Sequence, residues 1–100
     1  MEQDKITFKE EYWDNGQLKY KEQYLNGNQH GEQLGYYYNG QLHYKFQYLN
    51  GNKHGEQLGY YEGGKLWYKD YYINDNYVSY EEWIKYNRNE KLQSIWNKIK

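Results

Sequence analysis

Residues 12–35 read YWDNGQLKYKEQYLNGNQHGEQLG, and residues 36–59 read YYYNGQLHYKFQYLNGNKHGEQLG. The second stretch is a near copy of the first, displaced by 24 residues. A third copy, YYEGGKLWYKDYYINDNYVSYEEW over residues 60–83, holds the pattern to Asn76 and then loses it. A period of this length marks a stack of small units, none of which buries its apolar side alone. Residues copied in every unit are expected to build the stack. A binding site is expected where the copies differ.

Each unit alternates two kinds of segment. Leu18 to Leu25 recurs as Leu42 to Leu49 and Leu66 to Ile73, while Glu32 to Tyr38 recurs as Glu56 to Glu62. Period-two patterning rich in Tyr and Leu predicts β-strands. Lys5 to Trp13 reads as an N-terminal version of the second kind. Asn15-Gly16, Asn39-Gly40 and Gly63-Gly64 are expected to form tight two-residue hairpin turns, because these dipeptides accept positive φ. Residues 26–31 (NGNQHG) and 50–55 (NGNKHG) read as the longer turns. The fold class is therefore mainly β: a single-layer antiparallel meander of about six strands, made of β-hairpin repeats, with a C-terminal helical cap. The repeat region is expected over residues 1–78 and the helical segment over 79–100.

Alternation puts Leu18, Tyr20, Glu22 and Tyr24 on one face, matched by Leu42, Tyr44, Phe46, Tyr48 and by Leu66, Tyr68, Asp70, Tyr72. The other face carries Lys19, Lys21, Gln23, Leu25 and their counterparts His43, Lys45, Gln47, Leu49 and Trp67, Lys69, Tyr71, Ile73. The Leu/Tyr side is the expected packing face. In the tail, Ser79-Tyr80-Glu81-Glu82 is a capping box that starts a helix. The helix is expected to falter near Asn87 to Asn89 and resume with the stripe Leu92, Ile95, Trp96, Ile99. Its expected job is to cap the last hairpin, since open repeat stacks need covered ends.

Composition agrees with a thin sheet. The chain of 100 residues has 16 Tyr, 4 Trp and 10 Gly, no Pro and no Cys, and also lacks Ala. A tyrosine core is half polar, because each hydroxyl wants water or a partner. Without Cys there is no disulfide or thiolate metal site. MEQDKITF lacks the apolar core of a signal peptide, and no apolar run is long enough for a membrane helix, so a cytoplasmic location is the expectation.

Candidate chemistry fails on spacing. His30 and His54 sit one unit apart, two strands or roughly 10 Å, too far to share one metal ion, and are expected to cap the long turns. Glu22 and Asp70 are four strands apart, roughly 19 Å. A glycosidase pair needs roughly 5–9.5 Å. No catalytic residue, metal site or cofactor is expected, and the chain is read as non-enzymatic. Lys19, Lys21, Lys45 and Lys69 with Trp67 and Tyr71 are of a type that stacks single-stranded bases. With 14 acidic against 13 basic residues, neither nucleic acid nor a membrane is favoured as partner.

The unit YYxNGQLxYKxxYLNGxxHGE resembles a MORN repeat, in the bacterial and viral variant of YwqK-type antitoxin-like proteins. The resemblance rests on Asn15-Gly16 with Asn39-Gly40, Tyr20 with Tyr24, Asn26-Gly27, and His30-Gly31-Glu32 with His54-Gly55-Glu56, and it covers roughly residues 5–76. Glu22, Phe46 and Asp70 stand where a further MORN glycine is usual. The resemblance implies an elongated hairpin sheet that mediates binding, and loosely a phage or giant-virus protein. The leading expectation is thus a non-catalytic protein-binding module, an inhibitor of a toxin or of a host defence protein. Its partner-binding positions are those that break the repeat, Tyr38, His43, Phe46, Trp67 and Tyr71, with Trp83 and Trp96 in the tail. The competing readings are a self-associating homodimer and a binder of single-stranded nucleic acid, phospholipid or glycan.

Overall fold

The computed structural model describes residues 3–99. Met1 and Glu2, at the start of the expected repeat region, and Lys100, at the end of the expected tail, lie outside the described residues. The strands are β1 (Ile6–Tyr12), β2 (Leu18–Leu25), β3 (Asn28–Gln29), β4 (Gly31–Tyr36), β5 (Leu42–Leu49), β6 (Asn52–Tyr60), β7 (Leu66–Ile73) and β8 (Asn76–Val78), followed by the helix α1 (Tyr80–Ile99). They form one antiparallel meander in the order β1-β2-β4-β5-β6-β7-β8, with the short β3 paired to β2. The expected count of about six strands becomes eight segments among the described residues, because the long turns contain strand themselves.

The two kinds of turn exchange roles relative to the sequence reading. The two-residue hairpins with positive φ at both positions are Asn26-Gly27 (51° and 87°), Asn50-Gly51 (49° and 90°) and Asn74-Asp75 (47° and 71°), the first of which joins the paired Leu25 and Asn28. At the other end only Gly16, Gly40 and Gly64 have positive φ. There Gly16 N–H donates to Trp13 O (3.0 Å) and Trp13 N–H to Gln17 O (2.7 Å), a wider loop closed by the glycine. Asn15 is diverted into side-chain work: its Oδ1 accepts from Gln17 N–H (2.9 Å).

After the Asn26-Gly27 hairpin the chain bulges at His30-Gly31, where His30 N–H still donates to Gln23 O (3.0 Å). The Gln33 side chain completes the bonding of the Gln23 main chain. Its Oε1 accepts from Gln23 N–H (3.0 Å) and its Nε2 donates to Gln23 O (2.9 Å). Gln57 Nε2 repeats the contact with Gln47 O (2.8 Å). Both glutamines are 2% exposed, whereas Leu58 is the one buried hydrophobic residue among those described. The centre of this sheet is held by amide pairing and by rings laid across glycine, not by an apolar layer. Tyr44 covers Gly35 and Tyr68 covers Gly59 so closely that a Cβ there would lie 2.0 and 2.2 Å from ring carbons.

The molecule is flat, 54 × 39 × 20 Å with a radius of gyration of 16.3 Å. A compact chain of this length would have about 13 Å. The helix starts as expected, with Ser79 Oγ accepting from Glu82 N–H and Glu82 Oε1 from Ser79 N–H, both at 3.1 Å. One expectation for the tail is corrected. It does not break at Asn87 to Asn89 but runs as one helix of 20 residues; an asparagine costs a helix only about 0.7 kcal/mol or less, too little to stop it. The helix docks on the face of the sheet that carries Tyr71. Tyr80 and Trp83 lie 5.3 and 6.4 Å from the Tyr71 ring, and Trp83 and Tyr86 lie 5.5 and 5.4 Å from His54. The Leu/Tyr face needs no second layer, because its rings already pack on the glycines of the neighbouring strands.

Candidate interaction surface

The copied polar residues are occupied in joining one unit to the next. His30 Nδ1 accepts from Asn50 N–H (3.1 Å), and His54 Nδ1 from Asn74 N–H (3.3 Å). Asn15 Nδ2 donates to Tyr38 O (2.8 Å), and Asn39 Nδ2 to Glu62 O (3.2 Å). Among the described residues no group of three His, Asp or Glu is placed to hold a metal ion.

A row of side-chain pairs, each with at least one ring, crosses the glycine-closed end of the Lys/His/Trp face. Each pair joins the residue after a strand to one near the start of the next strand: Lys19 Nζ over Trp13 (4.6 Å), His43 stacked on Tyr37 (4.2 Å) and Trp67 stacked on Tyr61 (5.4 Å). Tyr38 extends it, edge-on to Trp13 (5.8 Å), with its hydroxyl donating to Asp14 (2.8 Å). The row is rigid because its members also bind across units: Trp13 Nε1–H donates to Tyr36 O (3.2 Å) and the Tyr37 hydroxyl to Tyr60 O (2.7 Å). Trp67, Tyr61 and Tyr38 remain 57%, 50% and 52% exposed. The helix covers the other end of this face, around Tyr71, roughly 13 Å along β7 from Trp67.

The residues expected to bind a partner therefore fall into separate places. Tyr38, His43 and Trp67 belong to the aromatic row. Tyr71 and Trp83 meet each other under the helix, so their surfaces are spent on docking the tail. Phe46 points to the opposite face, stacked on Tyr44 (4.7 Å) and lining a shallow depression with Tyr68, Asp70 and Tyr72. Trp96 sits on the distal half of the helix, 53% exposed. The row's other members, Trp13, Tyr37 and Tyr61, are aromatic in every unit. In the sequence alone, their copying marks them as builders of the stack. The signal that marks them is their alignment with the variable positions 19, 43 and 67, six residues ahead across the turn.

The cations on this face are largely answered within it. Lys45 meets Glu32 (3.2 Å), Lys69 meets Glu56 (3.7 Å) and Lys21 meets Glu10 (3.9 Å). A model of the MORN repeat variant matches residues 9–26, 29–50 and 53–74. The chain belongs to the MORN repeat variant family. Its MORN units build the sheet from β1 to the Asn74-Asp75 turn, and α1 lies outside the matched residues. No curated protein and no solved structure matches the chain. No helix among the described residues is long and apolar enough to cross a membrane.

Proposed function

We propose that this MORN-repeat chain is a non-catalytic module that binds a protein partner through the aromatic row of Trp13, Tyr37, His43, Tyr61 and Trp67. The observation that carries this reading is the row itself: Trp13 and Tyr37 are fixed by bonds to the next unit's backbone, and Tyr38, Tyr61 and Trp67 in line with them stay exposed. Such rings lose little freedom on binding, and Trp and Tyr dominate protein-interface energetics. The internal pairing of the lysines supports a protein partner over nucleic acid or an anionic membrane, which would need free positive charge. The finer role we propose is inhibition in the cytoplasm, with the row blocking a working surface of a toxin or a host defence protein.

The test is retrieval by tagged protein in its native host, compared with a Tyr61→Ala/Trp67→Ala variant. The expected result is a partner held by the parent chain and lost from the variant, with thermal melting alike in both, and a fall in the purified partner's own activity when the parent chain is added. A partner retained equally by the variant would move the binding surface elsewhere. An unchanged partner activity would remove the inhibitor role.

A further inference from the structure

The outer edge of β1 is built differently from its counterparts inside the sheet. Moving along by one and two units, Ile6 corresponds to His30 and His54, and Phe8 to Glu32 and Glu56. Edge strands of monomeric proteins usually gain charge. Here polar residues of interior strands give way to apolar ones at the rim, where Ile6 and Phe8 are 48% and 56% exposed. β1 has no Pro or Gly, and its register runs without a bulge until Glu11/Tyr12. The far end of the sheet is unlike it, with a three-residue strand that leads directly into the helix.

The direction of the free backbone groups follows from the inner bonds. Lys5 N–H donates to Asn26 Oδ1 (2.8 Å) and Lys5 O accepts from Asn26 N–H (2.9 Å), so Lys5 faces β2. By alternation Thr7, Lys9 and Glu11 face β2 as well, and Ile6, Phe8 and Glu10 present their N–H and C=O groups outward. An antiparallel copy must match outward residues with outward residues. A register centred on Thr7 would oppose Lys5 with Lys9. One centred on Lys9 would oppose it with itself, and one centred on Glu10 would do the same to that carboxylate. Like charges directly opposite are destabilising. The register centred on Phe8 has no such clash: Phe8 faces Phe8 of the second copy, Ile6 faces Glu10, Thr7 faces Lys9, and Lys5 faces Glu11.

We propose that β1 pairs antiparallel with β1 of a second copy of this chain, centred on Phe8, to give one continuous sheet across a two-fold axis. Phe8 then meets its symmetry mate at the axis, and Ile6 with Leu25 beside it, on the same face by the register Ile6↔Leu25 and Phe8↔Gln23, flanks that contact on either side. This surface is independent of the aromatic row, and either can fail without the other.

The absence of native cysteine makes the register directly readable in the full chain. In the Phe8-centred pair the two residues 8 lie about 5.5 Å apart between Cα atoms, within disulfide reach. Residue 6 lies roughly 13 Å from residue 6 of the second copy, beyond it. Under mild oxidation Phe8→Cys is expected to form a disulfide dimer about tenfold faster than Ile6→Cys or Glu10→Cys alone, from proximity. A mixture of Ile6→Cys and Glu10→Cys chains should cross-link with each other in preference to themselves. Equal rates for all three variants, or a preference for a different position, would overturn the proposal.

Discussion

Gly59 and Tyr68 show how this sheet stabilises itself one residue at a time. The ring lies where a side chain on Gly59 would stand, 2.2 Å from the position of a Cβ, so any larger residue must displace it. Gly59→Ala is expected to cost about 1–3 kcal/mol, as overpacking does. Thermal melting should read it as a drop of several degrees in Tm. The N-terminal unit supplies the control. Glu11 stands at the glycine position opposite Tyr20 and accepts from its hydroxyl, so the ring there is held by its end and not by its face. Glu11→Ala, at an exposed site, should change stability by only about 0.5 kcal/mol. The tyrosines and the glycines are both plain in the sequence. That one lies on the other is not, because the partners sit nine residues apart across a turn whose geometry the Asn-Gly dipeptides alone did not settle.

At the scale of the element, the helix shows which part of a tail does the capping. Trp83 and Trp96 are equally prominent in the sequence, and it is the first turns of α1, with Tyr80, Trp83 and Tyr86, that meet Tyr71 and His54 of the sheet. Trp83 lies over His54 and Tyr71, with its ring edge close to the Gly55 backbone. Burial there lowers the His54 pKa from its ordinary 6.5, with Glu90 pulling weakly the other way. The folded state thus favours neutral His54, which also keeps Nδ1 free to accept from Asn74. Its stabilising contribution is fully present above pH 6.5 and is lost as pH falls through 6.5 towards the lower folded value. Acidification from neutrality is expected to loosen the helix, visible as a change in tryptophan fluorescence. Trp83→Ala exposes the imidazole, so it should lower stability and also flatten this pH dependence. A variant that melts lower with the same pH profile would show that His54 is not coupled to the docked helix. The capping box was legible because it is a local pattern of four residues. The docking face was not, because it depends on which side of the sheet had already filled itself.

For the whole molecule the tyrosines set the alkaline limit. The Tyr20 hydroxyl, hydrogen-bonded to the Glu11 carboxylate, has its pKa pushed up to about 12. Burial raises those of Tyr44, Tyr48 and Tyr68. Because the folded values lie above the unfolded 10.0, the neutral rings stabilise the fold fully below pH 10. That contribution is lost as pH rises through 10 towards the folded values. Far-UV circular dichroism should therefore fall above pH 10 as Tyr20, Tyr44, Tyr48 and Tyr68 ionise. A sheet that stays intact after these four have ionised would contradict a fold held by its rings.

The sequence by itself determined the period, the strands, the antiparallel order and the start of the helix. All of these rest on contacts within a unit or on alternation along a strand, and those are local. The tertiary structure decided the rest. It chose which Asn-Gly pair makes the tight hairpin, because a side-chain amide 10 residues away accepts from the Gln23 N–H beside the bulge. It also chose which copied aromatics serve as surface, since Trp13 and Tyr37 join the next unit's backbone by an edge and leave a ring outward. The free edge followed last, because only the finished register shows that Ile6 and Phe8 stand at the rim where interior units place His and Glu.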